Sequence, residues 1–214
     1  ALVSAASKGP ERILDLAELM LAFGDTASAE YVLSRMPADQ LSSSHLRLLR
    51  EKTKKRVNPE RYKSLLRVLV NRGGGEQYAA HLAWFLIGVE DYDGLEELLS
   101  YYGGEYGEPA WLHFYRGILL TEQGVYEDAL TAFSRSLEKQ EYWHTYYNMA
   151  MIAALQNDPT RGISLLERAS NRAGNSPEAR AEVLAAMAEI KYRVGRREEA
   201  RADAEQALSY DPAH

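Results

Sequence analysis

Residues 181–214 read AEVLAAMAEIKYRVGRREEARADAEQALSYDPAH, and the spacing of small residues in this stretch decides the fold. Counted from Ala181, Gly195 falls at place 15, Ala200 at 20, Ala207 at 27 and Pro212 at 32. The same count from Ala110 puts Gly117 at place 8, Gly124 at 15, Tyr126 at 17, Ala129 at 20 and Phe133 at 24. From Pro10 it puts Leu16 and Ala17 at 7 and 8, Gly24 at 15, Ala29 at 20 and Leu33 at 24. Trp143 opens a weaker unit, with Met149 and Ala150 at 7 and 8, Leu166 at 24 and Ala169 at 27, but Gly162 at place 20. Its tail, NRAGNSPE, carries extra residues. Two degenerate units start at Ser43 and Glu76; they keep apolar places (Leu49 and Leu66; Leu82, Ala83 and Leu99) but hold Tyr62 and Leu95 at place 20. The starts at 10, 43, 76, 110, 143 and 181 are separated by 33, 33, 34, 33 and 38 residues. Regular self-similarity at this period is the signature of a repeat array.

Small residues at places 8 and 20, glycine at 15 and proline near 32 give residues 10–214 a resemblance to the tetratricopeptide-repeat (TPR) family. The resemblance implies an all-α solenoid of about six antiparallel helix pairs, A then B, stacked into a right-handed superhelix whose A helices line a concave wall. It follows a short N-terminal segment, residues 1–9. The physical reading agrees. Small side chains at places 8 and 20 let helix A lie close on helix B, and glycine past the first helix ends it in a left-handed conformation at little cost. Pro59, Pro109, Pro159 and Pro177 stand where helices should begin, positions that need no N–H. A lone hairpin cannot cover its apolar face, so stability comes from stacking on neighbours. The last helix, expected over 196–210, is polar on one face, as suits a terminal cap.

The 214 residues contain no cysteine, which excludes disulfides, thiolate metal sites and a cysteine nucleophile. The longest uncharged stretch, 142–157, is too short and too polar to span a bilayer. The opening ALVSAASKGP has no Met and no basic-then-apolar signal, so a processed or trimmed start is expected. Periplasmic, membrane-tethered and cytoplasmic placements all remain open. The net charge of −6 conceals an asymmetry: residues 47–72 carry ten bases against two acids, or +8, and the rest carries −14. This basic patch comprises Arg47, Arg50, Lys52, Lys54, Lys55, Arg56, Arg61 and Lys63, continuing to Arg67 and Arg72.

Catalytic signatures are absent from the sequence. There is no phosphate-binding loop, dinucleotide fingerprint, H-E-x-x-H or G-x-S-x-G. Gly73-Gly74-Gly75 lacks a following Lys-Ser or Lys-Thr and reads as a loop between units. No two of the five histidines stand four residues apart, so neither a metal nor any other cofactor is expected. Adjacent acids such as Glu96-Glu97 point in different directions on a helix and make poor acid/base dyads. The basic block holds a single aromatic, Tyr62, too few stacking platforms for nucleic acid. A non-catalytic protein-interaction scaffold is the expectation.

By the resemblance, helix A presents places 2, 5, 9 and 12 to a ligand. Steps of three and four residues put these places on one stripe. In the third to fifth units they include Trp84, Ile87, Trp111, Phe114, Ile118, His144, Tyr147 and Met151, and in the last Glu182, Ala185, Glu189 and Tyr192. Apolar aromatics at such places would expose roughly several hundred Å², the scale of a binding patch. The expected ligand is an apolar peptide or helix of a partner protein. The terminal-carboxylate clamp of one TPR subgroup is missing, since only Arg47 and Asn148 match it, in different units. Two alternatives stand beside this reading. One is homo-oligomerisation, with the basic block of one copy on the acidic flank 90–97 of another. The other is a small-ligand or glycan receptor built on Tyr101, Tyr102 and Tyr106, or on the 142–147 segment YWHTYY.

Overall fold

The computed structural model describes residues 76–210 together with Lys63, Arg67 and Val70. Eight helices occupy the described residues: α1 Glu76–Gly88, α2 Tyr92–Tyr106, α3 Ala110–Glu122, α4 Tyr126–Lys139, α5 Trp143–Leu155, α6 Pro159–Arg172, α7 Pro177–Arg193 and α8 Arg197–Tyr210. No strand occurs among them. The chain divides into two compact units, 1–98 and 99–214, with the division inside α2. In the second unit α3 pairs with α4, α5 with α6 and α7 with α8, while α4 and α6 each also pack on the helix that follows. These are the expected A and B helices of the units starting at 110, 143 and 181.

Sequence pattern separates the two kinds of helix. The α5 sequence WHTYYNMAMIAAL is apolar nearly all round, as suits a helix packed on several sides, and it buries Thr145, Tyr146, Met149, Ala150, Ile152 and Ala153. The neighbouring α6, PTRGISLLERASNR, is apolar on one stripe only and buries Gly162, Ile163, Leu165, Leu166 and Ala169. Asp158 caps α6 by accepting a hydrogen bond from the Arg161 N–H at 3.0 Å, and Ser176 caps α7 by accepting from the Ala179 N–H at 3.2 Å. Pro159 and Pro177 open these two helices as expected.

All four described A helices end alike. Place 15 is left-handed in every one: Glu90 (φ 57°), Gly124 (φ 75°), Asn157 (φ 59°) and Gly195 (φ 82°). The N–H that follows reaches back five residues, from Asp91 to Leu86 O (2.9 Å), Val125 to Leu120 O (2.9 Å), Asp158 to Ala153 O (2.8 Å) and Arg196 to Lys191 O (2.9 Å). This is the Schellman ending, which satisfies carbonyls that the helix leaves open. The degenerate unit from Glu76 thus keeps the turn although it has lost the glycine.

Close approach explains the small places. A Cβ on Gly117 would lie 2.6 Å from the Phe133 ring, and Phe133, at place 24, is fully buried. Burying such a ring contributes about 2–3 kcal/mol, so the glycine makes room for a large contribution. A Cβ on Gly162 would stand 3.1 Å from Ile190 Cδ1 and 3.4 Å from the Ala150 carbonyl oxygen. Glycine in place of the expected alanine marks a tighter contact there. The core of the second unit continues through Ala150, Ile152, Leu166 and Val183, all fully buried.

Candidate functional site

Part of the stripe expected on the A helices is brought together in the second unit. Phe114 of α3 lies with its ring centroid 6.3 Å from His144 of α5, which stacks on Trp143 at 3.7 Å, and Trp143 meets Tyr147 edge-on at 6.1 Å. Phe114 also leans on buried Phe133 at 6.0 Å. Phe114, Ile118, Tyr147 and Met151 are each partly buried, one side packed on the core and the other left open. On α7 the row ends in Tyr192, which is 65% exposed.

Charge enters this face from α7. Burial raises the Tyr147 phenol above its ordinary pKa, and the Glu182 and Glu189 carboxylates add to the rise. Glu189 also accepts a hydrogen bond from Arg193 in an exposed i, i+4 pair. The rings beside it partly desolvate the His144 imidazole and lower its pKa, although the residue stays exposed on this wall. His113, on the opposite side of α3, is lowered chiefly by burial, with Glu108 at 3.7 Å opposing the shift.

Trp111 departs from the expectation. It is 6% exposed, its ring lying edge-on to Tyr102 of α2 at 5.0 Å and to Tyr115 at 6.3 Å. Place 2 falls in the first turn of α3, where the large Tyr102 meets it, and the indole fills the space between successive helices instead of facing outward. In the first unit Trp84 is 41% exposed with His81 stacked on it at 5.4 Å, and Ile87 is partly buried. Trp143 joins the wall without a sequence signal, because place 1 lies off the four-place stripe; its ring nevertheless carries His144.

Of the basic patch, Arg47, Arg50, Lys52, Lys54, Lys55, Arg56 and Arg61 lie outside the described residues. Lys63 forms an ion pair with Asp91, and Arg67 pairs with Glu97 at 2.7 Å. The Lys63 ammonium holds the Asp91 carboxyl below its usual range. Both acids belong to the 90–97 flank considered for contact between copies, and both are engaged by the chain's own cations. The tyrosine cluster of α2 is half open: Tyr102 is buried, whereas Tyr101 and Tyr106 are 40% and 49% exposed. An open cleft of about 710 Å³ between α6, α7 and α8 is lined by Glu167, Arg180, Asp203 and Tyr210 among others. Arg180 there donates to the Gly174 carbonyl at 2.9 Å and sits over the Tyr210 ring, and Asp203 is taken by Lys191 at 2.5 Å. No group of three or more metal-ligating side chains occurs among the described residues. No described helix is long and apolar enough to cross a membrane.

Solved structures share this fold. The thermophilic TPR protein TTC0263 of Thermus thermophilus superposes with a TM-score of 0.60 at 16% identity, covering 96% of this chain and 93% of its own. The chain has a TPR-like repeat fold. MamA from Desulfovibrio magneticus RS-1 gives the same TPR-like match, with a TM-score of 0.59 and 13% identity over 89% of this chain and 97% of its own. YrrB, described as a TPR protein with an unusual peptide-binding site, matches with a TM-score of 0.52 and 13% identity over 100% of this chain and 94% of its own. No family model and no curated protein matches the sequence.

Proposed function

We propose that this TPR-like chain is a protein-interaction scaffold, and that the shared face of α3, α5 and α7 holds an apolar peptide or helix of a partner. The observation that carries the reading is the row Phe114, Ile118, Tyr147 and Met151, each half seated on the core with its other side open. A stripe of this kind matches the anchor spacing of a helix laid in a groove. Tyrosine and tryptophan supply rigid contact area and dominate interface energetics. YrrB, with the same fold, has a peptide-binding site, which supports a peptide as the kind of ligand.

The test is a peptide library displayed on phage and selected on the folded protein, with selected clones measured on Tyr147→Ala and Tyr192→Ala variants. Tyr192 is largely exposed, so its variant should melt nearly as the wild type does, whereas Tyr147→Ala, which removes packing on the core, should melt somewhat lower with helical circular dichroism retained. The selected peptides should lose affinity about tenfold or more on at least one variant, as expected for an aromatic anchor. Selected peptides that bind both variants as they bind wild type would place the binding face elsewhere.

A further inference from the structure

The corner between α2 and α3 carries an aromatic cluster that the peptide face does not use, and residues 99–115 that form it all belong to the second unit. Tyr102 and Trp111 are buried with their rings 5.0 Å apart, and Tyr102 supports Tyr106 at 4.9 Å. Tyr106 in turn stands at 76° to Tyr101, with ring centroids 6.4 Å apart. Tyr101 and Tyr106 are both exposed, so two rings at nearly right angles present open surface on a packed aromatic base. Gly104 keeps the space beside them clear. It is exposed, it lies three residues from Tyr101 on the same side of α2, and a Cβ there would meet nothing within 4 Å. Glycine inside a helix weakens it relative to alanine, and no packing among the described residues asks for glycine at this position. Charge at the corner is of one sign. From Tyr92 to Tyr115 the sequence holds Asp93, Glu96, Glu97, Glu105 and Glu108 and no lysine or arginine. Arg67 takes Glu97 and Arg116 takes Glu108. Glu105 is exposed and has no hydrogen bond or ion pair among the described residues. It follows Tyr101 by four places, which sets the two side chains next to each other on the helix surface.

We infer that this corner binds a quaternary ammonium group, as choline carries, with its methyl groups against Tyr101 and Tyr106 and its charge toward Glu105. The face of a tyrosine ring is the negative part of its π system and attracts a cation placed over it. A quaternary ammonium has no N–H to donate, so ring faces and the charge of a carboxylate hold it without directed hydrogen bonds. A lysine ammonium is more strongly hydrated, and an open corner with one free carboxylate does not replace that hydration. An anion would meet Glu105 with no lysine or arginine between residues 92 and 115 to receive it. A neutral apolar group would gain the ring contacts and nothing from Glu105. The same cationic group can arrive as a free solute or as the headgroup of a lipid.

The experiment follows the backbone amides of the isotope-labelled full chain by NMR while choline chloride is added, with sodium chloride at equal ionic strength as the blank. Choline should shift the amides of Tyr101, Gly104, Glu105 and Tyr106 saturably. Its uncharged dimethylbutyl isostere should bind about tenfold more weakly, since it lacks the cation. Glu105→Gln should weaken choline by about fivefold, the upper range for an exposed charge pair. Glu138→Gln, which removes the same charge from an exposed position on α4, should leave choline bound as before. Gly104→Leu fills the open space with a better helix former, so binding should be lost while helical circular dichroism is retained. Phosphatidylcholine vesicles that retain the protein, where phosphatidylglycerol vesicles do not, would make a lipid headgroup the source of the group. Saturable choline binding without retention would make it a free solute. Choline that moves none of these amides overturns the inference, and so does an isostere that binds as well as choline. Binding that survives Gly104→Leu places the site elsewhere, and equal losses on Glu105→Gln and Glu138→Gln reflect general attraction to an acidic chain; either result overturns it too.

Discussion

At the scale of single residues, place 15 shows what composition conveys and what it hides. Gly124 and Gly195 announce their turns, because glycine adopts a left-handed backbone at no steric cost. Asn157 is a weaker signal for the same geometry, since asparagine tolerates that region better than most residues. Glu90 gives no local signal, yet it holds φ at 57° with the same return hydrogen bonds. Only the repeat count could have pointed to it. A glutamate in that conformation carries a cost of about 1–2 kcal/mol that glycine would not. Glu90→Gly should therefore raise stability by about 1 kcal/mol net of glycine's added freedom in the unfolded chain, read as a higher denaturation midpoint at unchanged slope. A lower midpoint would mean that the Glu90 side chain contributes more than its backbone costs. Trp111 escapes its sequence reading for a related reason: its place number predicts a direction, whereas the bulk of Tyr102 decides whether that direction is open.

At the scale of elements, hairpins were legible where small residues recur and less so where bulk replaces them. The units from Ala110 and Ala181 gave α3, α4, α7 and α8 directly. The unit from Trp143 is weak in sequence because Gly162 stands where alanine is expected, yet its two helices pack closely, and the glycine is the reason. One feature of the last hairpin had no sequence signal. Lys191 of α7 is buried against Asp203 of α8, twelve residues away, with 10% and 15% of their side chains exposed. An ammonium enclosed in this way depends on its partner, and removing one member leaves an uncompensated charge. Asp203→Ala should cost about 2 kcal/mol in chemical denaturation, and Lys191→Met with Asp203→Leu should recover most of it. If the single substitution is neutral, Lys191 reaches water in solution and the pair contributes little.

At the scale of the whole molecule, a repeat array is held together by neighbour contacts, so a local injury stays local. The Asp203→Ala variant should speed amide exchange in α7 and α8 by a factor matching its loss of stability, fade through α6, and leave α3 and α4 as in the wild type. Hydrogen exchange read by mass spectrometry distinguishes this from uniform acceleration, which would show that the second unit unfolds as one body. Charge follows the same logic of address. The sequence localised a +8 block within a chain of net −6, and the described part of that block already engages Asp91 and Glu97 in the first unit. What the sequence could not show was that Phe114 of one hairpin and His144 of the next bring their rings within 6.3 Å, because that juxtaposition exists only once the helices are stacked.

The connection between α6 and α7 was visible in the sequence as the 38-residue spacing, and in the structure it runs through exposed Gly174 (φ 63°) and Asn175 to the cap Ser176. Most of the surplus lies in α7, which has 17 residues against 13 in α3 and in α5, so the insertion was absorbed as an added first turn, and the connection 173–176 is only one residue longer than 140–142. A fluorophore-bearing loop or an epitope spliced between exposed Gly174 and Asn175 would fall outside both helices, making this a natural point at which to label the protein for following its partners.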